Sequence, residues 1–321
     1  MSVPERKLDA GKFQDPDWTA TGERRASVRL IALETLWFNT GTLCNIECEN
    51  CYIESSPLND RLAFLTREEV STVLDEVADL GLPTEEIGFT GGEPFINKDL
   101  VAMIGDVLSR GLRALVLTNA MKPLQRPGVQ GALLDLSRGL GLGAGDEHLT
   151  FRVSLDHHTR ELHETERGAG TWEIALRGLK WLADHGFRVQ VAGRTCWGED
   201  EEQGRKGYAR LFAAEGLPVD ADDHADLVLF PEMDETVDVP EITTDCWDVL
   251  GVNPADIMCA SSRMVVKRRG AAHPVVLACT LIPYDPAFEL GASLAEASDV
   301  VRLNHAHCAK FCVLGGGACS A

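Results

Sequence analysis

Three cysteines fall within eight positions in the stretch GTLCNIECENCYIESSP, as Cys44, Cys48 and Cys51, and no fourth cysteine appears until Cys196. Metal sites that only hold a fold usually take four protein ligands, whereas three leave one position open for chemistry. Thiolates are soft ligands that suit zinc and iron–sulfur clusters. By spacing alone, a zinc knuckle with a distant fourth ligand fits this motif as well as a four-iron cluster with one open iron.

A second polar motif, Gly91-Gly92-Glu93-Pro94, directly follows the apolar run EIGFT. Two glycines let backbone groups approach a small ligand, Glu93 offers a carboxylate to an ammonium group, and Pro94 stiffens the exit. Further polar residues close later apolar runs: Thr118-Asn119, Ser154 with Asp156, and Arg194. Arg194 is suited to grip a carboxylate bidentately, or else pairs on the surface with the acidic run 199–202. Ser154 and Asp156 fit either a ligand wall or a plain turn. His157 and His158 are placed to move protons, or are loop histidines with no task.

The elements that must position these residues alternate. Apolar, β-branched runs at 30–38, 86–90, 112–118, 150–155, 187–195 and 226–230 predict strands. Helical stripes at 67–81, with Thr66 as N-cap, and at 99–111, 171–186 and 207–216 lie between them, and each ends in Gly. This alternation predicts parallel strands covered by helices, either as a partial (β/α)6 barrel or as a doubly wound sheet. In both folds the carboxyl ends of the strands share one face, which is where ligands bind. Five strands thus deliver their polar residues to one place. The predicted organisation is a polar lead-in over 1–28, extended or weakly ordered, a core over 29–231, and a cysteine-rich extension over 232–321.

Fifty acidic against thirty basic residues give a formal charge of −20, which disfavours nucleic acid as a partner. No apolar run is long enough to span a membrane and the N-terminus has no signal-like segment, so the expectation is a cytoplasmic protein with no membrane partner. The ten cysteines should then stay reduced and serve metals rather than disulfides.

Taken together and in this order, the three-cysteine and GGEP motifs resemble the radical S-adenosylmethionine (radical SAM) superfamily over roughly residues 35–230. The resemblance implies a partial (β/α)6 barrel and a 4Fe–4S cluster held by Cys44, Cys48 and Cys51. It also implies that the amino and carboxylate groups of SAM fill the open iron. Reduction would then cleave SAM to a 5′-deoxyadenosyl radical, with an electron donor such as flavodoxin or ferredoxin. By the same resemblance Gly91, Gly92, Glu93, Pro94, Asn119, Ser154, Asp156 and Arg194 face SAM, and the Arg167-Gly168 segment has a familiar look. The residue before the third cysteine, often aromatic in the family, is Asn50 here.

The tail places Cys259 and Cys279 around an expected hairpin, RMVVKRRGAAHPVVLAC, and adds Cys308, Cys312 and Cys319. This resembles SPASM and twitch appendages and implies one auxiliary 4Fe–4S cluster. Cys259, Cys279, Cys308 and Cys312 are its expected ligands, with Cys319 competing for one position. A zinc site on the same residues, helped by His305 and His307, is the alternative. Cys196 and Cys246 match neither site and are expected to pack as free thiols, although Cys196 could give a hydrogen atom to a substrate radical. The expected function is oxidative radical chemistry on a peptide or small molecule. The rivals are an epimerase, a molybdenum-cofactor-type cyclase, and an electron-transfer or structural zinc protein.

Overall fold

The computed structural model describes residues 7–195, 197–231 and 234–317. In chain order the elements are β1 (Ser27–Val28), β2 (Thr35–Asn39), α1 (Arg67–Asp79), β3 (Glu86–Thr90), α2 (Leu100–Ser109), β4 (Arg113–Thr118) and α3 (Pro127–Leu140). There follow β5 (Asp146–Ser154), α4 (Arg160–Arg167), α5 (Thr171–Asp184), β6 (Phe187–Arg194), α6 (Glu201–Glu215) and β7 (Leu227–Phe230). The remainder is α7 (Cys246–Leu250), β8 (Ser262–Val266), β9 (Val275–Leu277), β10 (Glu289–Gly291) and β11 (Val301–Arg302).

Strands β2 to β7 pair in sequence order, all parallel, as the alternation predicts. The sheet order β10-β9-β8-β2-β3-β4-β5-β6-β7 has two free ends, so the barrel is partial rather than closed. Helix α1 starts in the anticipated Thr66 capping box with Glu69. Gly81, Gly111, Gly186 and Gly216 all take positive φ just past their helices, the left-handed cap conformation.

Alternation along the strands decides what each face meets. Leu36 and Phe38 point to the layer of α1 and α2, with Val70, Leu74, Met103 and Ile104. Trp37, between them, points the other way and packs with Met264, Leu277, Phe311 and the buried cysteines of the tail. The C-terminal region therefore fills the concave side of the half-barrel. Its hairpin forms as expected, β8 against β9, but β8 also pairs parallel with β2, so the extension is continuous with the barrel sheet.

The lead-in, expected to be extended or weakly ordered, is tied down from residue 7 onward. β1 pairs antiparallel with β11, and Arg25 forms a buried ion pair with Glu241 at 2.6 Å. A guanidinium taken out of water needs that partner, and Glu241 lies far along the chain, beyond the reach of local pattern.

Candidate active site

The loop after β2 carries Cys44, Cys48 and Cys51 across the carboxyl end of the sheet. It runs so close to the turn after β3 that side chains are excluded there. A Cβ on Gly92 would lie 2.3 Å from the carbonyl oxygen of Leu43, and one on Gly91 would lie 2.5 Å from that of Gly41. The amides of Gly92 and Glu93 donate to those same carbonyls, at 2.9 and 3.1 Å. The glycines thus admit the backbone of the cysteine loop as well as facing the cavity.

Glu93 has a different task from the expected one. Its side chain is buried, and both carboxylate oxygens are engaged by the protein. Thr118 Oγ1 donates at 2.8 and 3.0 Å, Asn119 N at 2.8 Å and Phe95 N at 3.1 Å. Burial raises its pKa to about 7, against those donors, which pull it down. Glu93 fastens the end of β4 to the turn after β3, and Pro94 opens the short 3₁₀ turn behind it. Asn119 carries the link onward, its Nδ2 donating to Asn45 Oδ1 at 3.0 Å and lying 3.7 Å from Cys44 Sγ.

The other strand ends meet at the C-terminus of α4. Asp156 accepts a bidentate pair from Arg167, at 2.7 and 2.9 Å. Arg194 pairs with Glu166 at 2.7 Å, both side chains nearly buried, so the surface pairing with the acidic run does not occur. Glu166 also accepts from Asn50 Nδ2 at 3.0 Å. His157 and His158 turn away from the cavity toward Glu199.

These residues line a cavity of about 160 Å³ that opens to solvent at its mouth. Cys44, Cys48, Cys51, Gly91, Gly92, Asn119, Ser154, Asp156 and Arg194 line it, while Glu93 and Pro94 stand behind its wall. Arg167 and Arg152 also line it, and Leu281, Phe230 and Phe311 add apolar surface. Arg152, buried and donating to Gln190 at 3.0 Å, was missed in sequence. Its signal was a charged residue at an inward position of the apolar run TFRVSL.

Burial pushes the Cys44 thiol up to about 12 and raises that of Cys48, with the positive Arg167 opposing. Such thiols become ligands only when a cation offsets the desolvation of their charge. A single zinc at about 2.3 Å from each sulfur holds thiolates about 3.8 Å apart. Among the described residues, no three cysteine sulfurs come within 4.8 Å of one another, so the thiols as placed do not converge on a single zinc.

The tail cysteines form a second group. Cys259, Cys279, Cys308 and Cys312 are all buried in the concave-side core, the last two on a π-helical turn over 308–313. Burial raises the thiols of Cys259, to about 11, and of Cys308. Nε2 of His305 and of His307 lie 3.6 and 3.7 Å from Glu235, a carboxylate rather than a cysteine. Cys246 is half-buried on α7, near Thr243. Cys196 and Cys319 lie outside the described residues.

The profile of the Radical SAM superfamily matches residues 38–203, just over half of the chain and including all three loop cysteines. The chain belongs to the radical SAM superfamily. Radical SAM proteins use a 4Fe–4S cluster and SAM, and they need a reductant. Among curated radical SAM relatives, the subtilosin biosynthesis protein AlbA of Bacillus subtilis is 31% identical over 46% of this chain and 30% of its own. Fe-coproporphyrin III synthase of Methanosarcina barkeri is 31% identical over 47% of this chain and 34% of its own. The chain thus spans about a third of the length of these relatives. In fold it resembles SuiB of Streptococcus suis bound to SAM, with TM-score 0.57 and 11% identity over 82% of this chain and 64% of SuiB. It also resembles AdoMet-bound anSMEcpe, with TM-score 0.55 and 13% identity over 82% of this chain and 79% of that one. Among the described residues no helix is long and apolar enough to cross a membrane.

Proposed function

We propose that this chain is a radical SAM oxidoreductase, acting on a peptide or small molecule, whose 4Fe–4S cluster is held by Cys44, Cys48 and Cys51. The observation that carries the reading is that these cysteines line the same cavity as Gly91, Gly92 and four later strand ends or strand-end loops. When bound, the cluster and SAM supply a 5′-deoxyadenosyl radical that removes a hydrogen atom from substrate.

The chain's own residues prepare that chemistry. Gly91 and Gly92 expose backbone groups beside the cysteine loop, where the methionyl end of SAM would lie. Arg167, held by Asp156, keeps positive charge beside Cys48 and so favours its thiolate. Ser154 and Asn119 supply polar contacts along the wall. Leu281, Phe230 and Phe311 shield the cavity from water, which a reactive radical requires.

Cys259, Cys279, Cys308 and Cys312 are the proposed ligands of an auxiliary cluster, with Cys319 the competitor for one position. Cys312 directly follows Phe311 and Cys279 is two residues before Leu281, so this group backs onto the same cavity. Such a cluster could take the electron left on substrate, giving net oxidation. The match to AlbA, a bacteriocin biosynthesis protein, supports a peptide as substrate. The proposed electron donor is a flavodoxin or ferredoxin.

Iron analysis of the anaerobically reconstituted protein tests the reading. It should give about eight irons per chain and a spectral change on adding SAM. Zinc in place of iron, with no response to SAM, would point to a structural metal protein instead.

A further inference from the structure

The tail buries a cation that has no carboxylate partner. Arg263, on β8, is 1% exposed. Its guanidinium donates to backbone carbonyls alone. Nε donates to Ala297 at 2.8 Å, Nη1 to Cys259 and Ser262 at 2.7 and 2.8 Å, and Nη2 to Asp299 at 3.3 Å. Among the described residues no carboxylate lies within ion-pair distance of it. Arg25, whose charge reaches Cys308, is by contrast paired with Glu241 at 2.6 Å. The carbonyls satisfy the hydrogen bonds of Arg263 but carry no net charge. A buried cation in that state is costly unless an anion joins it.

What lies beside the guanidinium is thiol. Arg263 grips the carbonyl of Cys259 itself, in the 3₁₀ turn Met258–Ala260, and its charge also reaches Cys279. Cys259 and Cys279 are buried, as are Cys308 and Cys312. Four protonated thiols are neutral and offer the cation nothing. Four thiolates around iron and sulfide form a group of net negative charge, which is the anion the site lacks. We propose that Arg263 is the counter-charge of the tail cluster, a positioning residue that holds the Cys259 backbone and raises the reduction potential of the cluster bound there. This deepens the auxiliary-cluster reading and rests on it.

The direction of the effect follows from the charges. Reduction adds one negative charge to the cluster, and a fixed positive charge nearby favours it. Water that would screen the pair is excluded, since Arg263, Cys259 and Cys279 are no more than 5% exposed. By favouring the reduced form, Arg263 suits the tail site to accept an electron from substrate rather than to donate one. The same charge is uncompensated in the metal-free protein, so Arg263 also couples the folding of the tail to cluster loading.

The test uses the Cys48→Ala protein, in which only the tail site should load. Its reduction potential is read by electron paramagnetic resonance during a redox titration. Arg263→Gln in that background removes the charge but keeps an amide donor for the carbonyls. It should make the cluster about tenfold harder to reduce, a potential about 59 mV lower for one electron. Arg263→Lys, which keeps the charge and loses the planar fork, should stay within about threefold of the parent. Equal potentials in the parent and Arg263→Gln, or equal shifts in Arg263→Gln and Arg263→Lys, would overturn the proposal and leave Arg263 a backbone clamp. Should Arg263→Gln hold no tail iron, recovery of that iron in Arg263→Lys supports the charge pairing, and no recovery overturns it. A parent without tail iron would overturn the auxiliary-cluster reading itself, and this proposal with it.

Discussion

Asn50 Nδ2 donates to both oxygens of Glu166, at 3.0 and 3.1 Å, across 116 positions of sequence. The position before the third cysteine, often aromatic in relatives by the resemblance noted above, here anchors the cysteine loop to the last turn of α4. The same carboxylate holds Arg194 at 2.7 Å, and the amide of Glu49 donates to the Glu166 carbonyl. One residue thus couples the loop, α4 and the end of β6.

Removing one partner of a buried ion pair is expensive, whereas losing one amide hydrogen bond is not. Glu166→Ala should therefore destabilise the protein by about 3 kcal/mol, at the lower end for a buried pair. Asn50→Ala should cost about 1 kcal/mol. Urea unfolding of both variants checks the ranking. Equal losses would mean that Glu166 acts only through the loop.

Gly92→Ala should act on folding before it acts on ligand binding. The added Cβ would meet the Leu43 carbonyl at 2.3 Å, and backbone atoms on both sides must move. Overpacking of this kind costs about 1–3 kcal/mol, so the variant should melt lower and hold less iron. Gly128→Ala is the control, because a Cβ there meets nothing within 4 Å. A Gly92→Ala protein with normal melting and iron, but weakened SAM binding, would show that the turn serves the ligand alone.

Glu93 should make stability pH-dependent in a stated direction. Its folded pKa, raised to about 7 from 4.5, means that the folded chain holds a proton there which the unfolded chain has released. The stabilisation from this group is complete below the unfolded value and is lost as pH rises through about 7. Glu93→Gln removes the titration. The melting temperature of wild type relative to Glu93→Gln should therefore fall between about pH 5 and pH 7 and level off above that. A difference that is flat or rises with pH would contradict the burial argument.

The repeating part of the fold was legible because each strand and most helices carry their own period. Strands β3 to β7, the four glycine-ended helices and the Thr66 cap follow from local pattern. Helix α4 did not, because RELHETER buries His163 and Glu166 rather than an apolar stripe. Helix α3 was hidden by its glycines. At the site, the polar residues at strand ends could be read as converging, since parallel topology alone brings them to one face. Their pairings could not. Glu93 with Thr118, Asp156 with Arg167 and Glu166 with Arg194 are partnerships of buried charge, set by distances that spacing does not encode. The docking of the tail into the concave side was equally invisible, because β8 reads as half of a hairpin and gives no sign of its second partner, β2.

The auxiliary group should be separable from the first. Cys279→Ala should remove about four irons while the spectral response to SAM persists. Loss of all iron would instead mean that the tail cysteines support the whole concave core, or share one site with the loop.

The central claim rests on the loop cysteines, and 5′-deoxyadenosine formation tests it most directly. Reconstituted, reduced protein supplied with SAM should release 5′-deoxyadenosine, and Cys48→Ala under the same conditions should release none while keeping about half its iron. Undiminished 5′-deoxyadenosine from Cys48→Ala, or none from the fully iron-loaded wild type, would contradict the account.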